Sequence, residues 1–254
     1  MRSAFLDIDG TLAKGTDVPP SAASALARMR AAGDLVFICT GRARTYVEQN
    51  FGALADGFVC SNGRLAFMGD RDLVNAPLTT DQVTRFAAAL DGVGAGYAFF
   101  GEREAWYGGN ESYRAAAEAV LGLGRLPRIG DPSSICAHSF DIYFDDVGHR
   151  LRATEALGGA CLVNPHGPHP SADVTVRGAD KGDAVRGVAA ALGVDIEDTY
   201  AFGDGINDLP MIVAAGHGIA MGNAVDELKE AAEYVTSSID EDGVAHGLAH
   251  FGLA

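Results

Sequence analysis

Short apolar runs alternate with amphipathic stretches from the first residues of the chain. Ser3-Ala4-Phe5-Leu6 is a brief, mostly apolar run that stops at Asp7, as expected for a strand buried on both faces of a parallel sheet. After a polar loop, Ala22, Ala25, Leu26 and Met29 recur at helical spacing; Ser21 stands where a cap belongs and Gly33 where the helix stops. Leu35-Val36-Phe37-Ile38-Cys39 reads as a second buried strand ending at Thr40. Beyond another helix, Gly57-Phe58-Val59-Cys60 is a third, ending at Ser61-Asn62-Gly63. Repeated strand–helix alternation predicts right-handed crossovers in a doubly wound sheet.

The pattern then changes. Leu65-Ala66-Phe67-Met68, a Gly69-Asp70 turn and Leu73-Val74 predict a hairpin. From Pro77 to Gly178 the order does not suit a parallel sheet: a helix over 80–91, an aromatic strand over 97–100, helical stretches near 111–121, a strand over 139–144, a helix over 147–157, and strands near 160–163 and 173–176. These elements predict an antiparallel sheet with helices on one face. Alternation resumes with a helix from Lys181 that Gly193 ends, followed by strands at Thr199-Tyr200-Ala201-Phe202, Ile219-Ala220-Met221 and Tyr234-Val235. The expected fold class is α/β. A doubly wound parallel core is built from residues 1–76 and 179–254, with an α+β insert over 77–178.

Charge narrows the partners. The formal charge of −15, from 34 acidic and 19 basic residues, argues against a nucleic acid or an anionic membrane surface, which need clustered Lys and Arg. A small phosphorylated molecule stays admissible, because one lysine and a few local donors override the global field at short range. The N-terminus runs straight into a strand without a signal-peptide pattern, and the cysteines (Cys39, Cys60, Cys136, Cys161) show no CxxC pairing. Cys39 and Cys60 end apolar runs, which predicts buried free thiols and a cytoplasmic protein. The residues do not distinguish a monomer from a homodimer.

Four motifs carry chemistry. Asp7-Ile8-Asp9-Gly10-Thr11 puts two carboxylates where the first strand runs out, and ligands of open α/β sheets bind beyond the carboxyl ends of the strands. Gly10 allows a tight turn, and Thr11 stands where a hydroxyl can hold Asp9 or a phosphate. Thr40-Gly41-Arg42 offers a hydroxyl and exposed amides beside a glycine, which suits a phosphoryl oxygen; Arg42 could meet substrate or cap the next helix. Lys181 opens a helix against the macrodipole preference, so its position asks for an acidic partner such as Asp7. Gly203-Asp204-Gly205-Ile206-Asn207-Asp208 places two carboxylates and an amide in one strand-end loop; it lacks the DxDxDG run of a calcium loop. Each motif alone has a plain structural reading: a strand-end turn, a surface lysine, a helix cap at Asn207. Together they supply the parts for Mg²⁺-assisted phosphoryl transfer through an aspartyl-phosphate.

In this order, and each after an apolar strand, the motifs resemble those of the haloacid dehalogenase-like hydrolases, and among them the Cof-type phosphatases with a large α/β cap. Ser61-Asn62-Gly63, Met221-Gly222-Asn223-Ala224 and Asp240-Glu241-Asp242-Gly243-Val244 fit the same pattern. The resemblance implies a Rossmann-like core, Asp7 as nucleophile, Asp9 as general acid and base, and Lys181 paired with Asp7. It implies phosphate or substrate contacts from Thr11, Thr40, Gly41, Arg42, Asn62 and Asn207. It also implies a Mg²⁺ site on the Asp7 and Asp204 side chains and the Asp9 backbone carbonyl, with Asp208 orienting waters or Lys181. Bacterial receiver domains share an acidic cluster, a Thr and a Lys, but are about half this length; P-type pumps have Thr where Asp9 stands.

Substrate choice is expected from the insert, acting as a cap. Trp106, Tyr107, the loop Gly108-Gly109-Asn110, His138, Tyr143, the loop from Asn164 to Pro170, and Arg44 from the core are the candidates. Trp106 could stack on a sugar or a flat ring or serve the insert's own core, and His166 and His169 could be read as metal ligands. The expected function is hydrolysis of a small phosphorylated metabolite, a sugar phosphate first, with cap closure excluding water. The alternatives are a phosphomutase of the phosphomannomutase type and a non-catalytic phospholigand sensor.

Overall fold

The computed structural model describes residues 1–113, 134–166 and 169–254. They form two compact units, one of Met1–Arg42, Tyr46–Asn75 and Ala179–Ala254, the other of Ala43–Thr45 and the described part of Ala76–Gly178.

The first unit is built on an eight-stranded sheet. In chain order its strands are β1 (Ser3–Leu6), β2 (Leu35–Cys39), β3 (Gly57–Cys60), β4 (Leu65–Met68), β5 (Arg71–Asn75), β11 (Thr199–Gly203), β12 (His217–Ala220) and β13 (Tyr234–Val235). Their spatial order is β13-β12-β11-β1-β2-β3-β4-β5. Six strands are parallel, and β4 and β5 add the antiparallel hairpin at one edge. Because β1 lies between β2 and β11, the first strand of the chain is central, and the chain winds outward from it to both sides. Phe5 and Phe37 stack with centroids 5.2 Å apart in a core that also buries Leu6, Ile38 and Phe202. Helices α1 (Pro20–Ala31), α2 (Arg44–Phe51), α5 (Lys181–Leu192), α6 (Leu209–Ala214), α7 (Asp226–Ala231) and α8 (Gly243–His250) connect or flank these strands. Helix α1 begins at Pro20 after Pro19, and Ser21 does not cap it: its hydroxyl donates to Asp242 instead. Proline at the first helical position needs no amide partner, which removes the need for that cap.

The second unit has a five-stranded antiparallel sheet in the order β7-β6-β8-β10-β9, made of β6 (Gly96–Phe100), β7 (Ala105–Gly109), β8 (Ser139–Tyr143), β9 (Cys161–Pro165) and β10 (Ser171–Val176). Helices α3 (Thr80–Val93) and α4 (Val147–Leu157) bury Phe86, Leu90 and Leu157 against Phe99, Phe140 and Val174. Two elements differ from expectation. Gly108 and Gly109 of the expected loop Gly108-Gly109-Asn110 belong to strand β7, paired with β6 residue for residue from Gly96↔Gly109 to Phe100↔Ala105. The two glycines that argue for a turn are accommodated at a sheet edge, where strand interior rules are weakest. Strand β9 runs on to Pro165, so Asn164 and Pro165 belong to the sheet. The helical stretch expected near 111–121 is a short 3₁₀ turn at Glu111–Tyr113; 114–121 lie outside the described residues, as do Gly167 and Pro168.

Candidate active site

The pairing of β1 with β2 and β11 brings Asp7, Thr40 and Asp204 to one edge of the sheet. Leu6 is level with Ile38 and Phe202, and the Asp7 N–H extends the ladder by donating to the Phe202 carbonyl at 3.0 Å. The first residue after each of these strands therefore emerges at the carboxyl end, where such sheets bind ligands.

Lys181 is the charge at the centre. It is 0 % exposed, and its Nζ donates to Asp7 Oδ1 and to Asp208 Oδ1, each at 2.6 Å. Asp180 makes this possible by capping α5: its carboxylate accepts from the Asp183 N–H at 2.8 Å, so the helix starts with Lys181 aimed inward. Burial disfavours the ammonium, but the charges of Asp208 and Asp7 outweigh it and hold the Lys181 pKa above its usual value. The other oxygen of Asp208 accepts from the Asp204 and Gly205 N–H groups, both at 3.0 Å. Both oxygens of Asp208 are thereby engaged: one fixes Lys181 and the other shapes the loop that carries Asp204.

The residues present fit a hard divalent cation. Carboxylate oxygens of Asp7, Asp204 and Asp208 lie within 4.8 Å of one another, an all-oxygen donor set of the kind Mg²⁺ takes. Three carboxylates face one ammonium. Burial and the nearby Asp208 charge push the Asp7 carboxyl up to about 7, against the pull of Lys181. Burial likewise raises Asp204 to about 6, although the Thr11 hydroxyl opposes it. With Asp208 committed elsewhere, Asp7 and Asp204 are the side chains that could hold the ion.

Four side chains are placed as follows relative to the sequence reading. The Asp9 carboxylate is turned away from the three-carboxylate cluster, 3.2 and 3.4 Å from Nη2 and Nε of Arg42, and its side chain is 49 % exposed. The chain coils immediately after Asp7, with the Leu12 and Ala13 N–H groups on the Ile8 carbonyl at 3.0 and 2.8 Å, which leaves Asp9 on the outside of the turn beside a cation. Beside the Asp7 and Asp204 side chains, Asp9 is a candidate ligand through its backbone carbonyl only. Arg42 pairs with Asp9 and lies 5.1 Å over the Tyr46 ring. Thr11 holds neither Asp9 nor a free position: its hydroxyl donates to Asp204 Oδ1 at 3.0 Å. Asn207 is not a helix cap either, but is exposed on the 3₁₀ turn Ile206–Asp208 that precedes α6.

Thr40, Gly41 and Asn62 meet in a pair of loops. The buried Thr40 accepts the Arg42 N–H on its hydroxyl at 3.2 Å, and the Asn62 N–H donates to the Thr40 carbonyl at 3.1 Å. Ser61 and Asn62 both have φ near +50° (53° and 51°), a left-handed pair. Within the second unit, Trp106 stacks on Phe99 at 5.8 Å and serves that unit's core, His138 and Tyr143 are buried, and His166 bonds Ser171 at 2.9 Å. Arg44 pairs with Glu102 at 3.1 Å.

One further residue at the site has no role in the sequence reading. Asn223, in the loop after β12, donates to the Gly10 carbonyl at 2.9 Å and lies 3.4 Å from Asp204 Oδ2. Its signals in the sequence are its place after an apolar strand, as for Asp7 and Asp204, and its membership of the Met221-Gly222-Asn223-Ala224 segment.

Comparison with known proteins bears on the whole chain. The model of the haloacid dehalogenase-like hydrolase family matches residues 4–248. The chain belongs to that family. A Bacillus subtilis protein named "Putative phosphatase YkrA" is 31 % identical over 98 % of this chain and 97 % of its own length. The 5-amino-6-(5-phospho-D-ribitylamino)uracil phosphatase YwtE of the same organism is 27 % identical, over 97 % of this chain and 96 % of its own. Among solved structures, the HAD subclass IIB sugar phosphatase BT4131 superposes with a TM-score of 0.80 over 100 % of both chains at 28 % identity. With phosphatases on both sides of the comparison, this HAD-like hydrolase is an enzyme of the phosphatase class.

Proposed function

We propose that the chain is a Mg²⁺-dependent phosphatase of a small phosphorylated metabolite, a sugar phosphate first, and that the phosphoryl group passes through Asp7. The observation that carries this reading is the fully buried Lys181, ion-paired at 2.6 Å with both Asp7 and Asp208 beside Asp204. A buried ion cluster stabilises a fold poorly, so its placement at the carboxyl end of the central strand points to chemistry. Phosphate monoesters are among the slowest bonds to hydrolyse, and a covalent route divides the barrier.

In the first half-reaction an Asp7 oxygen attacks phosphorus as the bond to the leaving oxygen breaks, and Asp9 gives that oxygen a proton. In the second, water attacks the phosphorus of phosphoryl-Asp7 and loses a proton to Asp9; inorganic phosphate leaves and the Asp7 carboxylate is restored. Lys181 holds Asp7 by one oxygen and leaves the other for the attack. The Thr40 hydroxyl and the Asn62 and Asn207 amides supply donors to phosphoryl oxygens, and Arg42 is a cation that a phosphate could draw from Asp9. Mg²⁺ held by Asp7 and Asp204 would neutralise charge on the phosphoryl group. The substrate class rests on the relatives: one is a sugar phosphatase and another acts on a phosphorylated ribityl chain, which share a phosphate on a polyhydroxylated carbon skeleton. The insert, residues 77–178, is assigned the role of selecting among such molecules.

Phosphate release from a panel of sugar phosphates, nucleotides and phosphorylated cofactors, with Mg²⁺ and with EDTA, tests the reading. Release that needs Mg²⁺ and falls on the order of 10³-fold or more in Asp7→Asn is expected. Full activity in that variant would sink the mechanism. Phosphate retained on an isomerised sugar would instead assign a mutase, and metal-dependent binding without turnover a sensor.

A further inference from the structure

The loop that carries Asp9 and Gly10 is braced from outside the four motifs. Three tethers join it and the start of α1 to the turn at 237–242: Lys14 pairs with Asp240 at 2.6 Å, the Ser21 hydroxyl donates to Asp242, and Asn223 lies between the two segments. Asn223 uses both ends of its amide. The Nδ2 group donates to the Gly10 carbonyl at 2.9 Å, and Oδ1 accepts the Ile239 N–H at 2.9 Å. The same Nδ2 group lies 3.4 Å from Asp204 Oδ2, while Thr11 holds Oδ1 of that carboxylate at 3.0 Å. The backbone is shaped for this. Gly222, just before, donates to the Ser237 carbonyl at 3.0 Å, and a Cβ on it would sit 2.6 Å from the Ser238 nitrogen, so only glycine lets the two segments approach so closely. Gly10 has φ +89°, and a Cβ there would overlap the Asp204 carboxylate.

We infer that Asn223 is a positioning residue for the cation site: it sets the Gly10 peptide and the free edge of Asp204 against each other, and so fixes the geometry in which Asp204 and the adjoining Asp9 backbone can take a divalent ion. The inference rests on the Mg²⁺ reading above. Residues that orient a ligating carboxylate are worth about 10–100-fold in metal affinity when removed.

The test is the Mg²⁺ dissociation constant by calorimetry on the full chain, for the parent, Asn223→Ala, Asn223→Ser and Asp204→Asn, with thermal unfolding of each in EDTA. The expected result is a Mg²⁺ affinity about 10–100-fold weaker in both Asn223 variants, with unfolding in EDTA close to the parent and turnover regained at high Mg²⁺. A general structural role would lower stability in EDTA and would not be rescued by the ion. The serine variant keeps a polar group at the turn and serves if the alanine variant does not fold. If the parent binds Mg²⁺, Asp204→Asn loses it, and a folded Asn223 variant binds within about twofold of the parent, the inference about Asn223 is overturned and the Mg²⁺ reading stands. A parent that binds no Mg²⁺, or an Asp204→Asn variant that binds as well as the parent, overturns both.

Discussion

At the scale of single residues, the site is a problem of charge balance that Lys181 only half solves. Lys181→Met would leave Asp7 and Asp208 buried without a cation between them, and breaking a buried ion pair on one side costs about 3–5 kcal/mol. That loss should be largest above the Asp7 titration at about 7 and shrink in acid, where Asp7 and then Asp204 take up protons. Urea unfolding of the parent and variant at several pH values checks it; an equal loss at every pH would contradict the charge account. The parent has its own pH dependence. Because both carboxyls titrate above their unfolded values, the folded metal-free chain binds more protons than the unfolded chain between the ordinary carboxylate range and neutrality. Stability in EDTA should therefore fall as pH rises through that window. A cation competes with those protons, so the gain in Tm from Mg²⁺ should be larger near pH 8 than near pH 5.5, measured by thermal scans. A gain that is equal or larger in acid would place the ion elsewhere.

Among secondary-structure elements, the start of α5 is where local stability and the site meet. Asp180 caps the helix and Lys181 follows at once, so the cap decides whether the lysine points into the sheet edge. Asp180→Ala is expected to cost about 1 kcal/mol of stability. It should also weaken phosphate release by more than that loss explains, because Lys181 is freed to turn; a stability loss with unchanged kcat would separate the cap from the site. The elements also show where sequence patterns stop. Central strands are nearly continuous apolar runs, so β1, β2, β3 and β11 could be read directly. Strand β7 could not, because its glycines and exposed positions carry a turn signal that pairing with β6 overrides.

For the whole molecule, two hydrophobic clusters matter most. One surrounds Phe5, Phe37 and Phe202, the other Phe86, Phe99 and Phe140, and each lies within its own unit. A cation at the carboxyl end of β1 therefore orders segments of the first unit. Hydrogen exchange with and without Mg²⁺ should show new protection over residues 7–13, 203–208, 221–225 and 237–242, the segments joined by Thr11, Asn223 and Ile239. Strands β6, β8 and β10 should exchange as before. Protection confined to 203–208 would mean that the braces around Asn223 do not respond to the ion.

The sequence alone determined the order of strands and helices in the core, and the positions at which Asp7, Thr40, Lys181 and Asp204 interrupt that order. Both follow from local rules: a strand buried on two faces must be apolar, and a polar residue ends it where the chain reaches the ligand-binding edge. Which of those residues touch was decided by the tertiary structure. Thr11 serves Asp204, 193 positions away, and Asn223 serves Gly10 across 213 positions. Arg42 reaches Asp9, 33 positions away. Such contacts depend on strand order and on loops that fold back after the strands, and neither leaves a periodicity in the chain. The sequence carries the chemistry of each strand end; only the packed sheet sets which ends are neighbours.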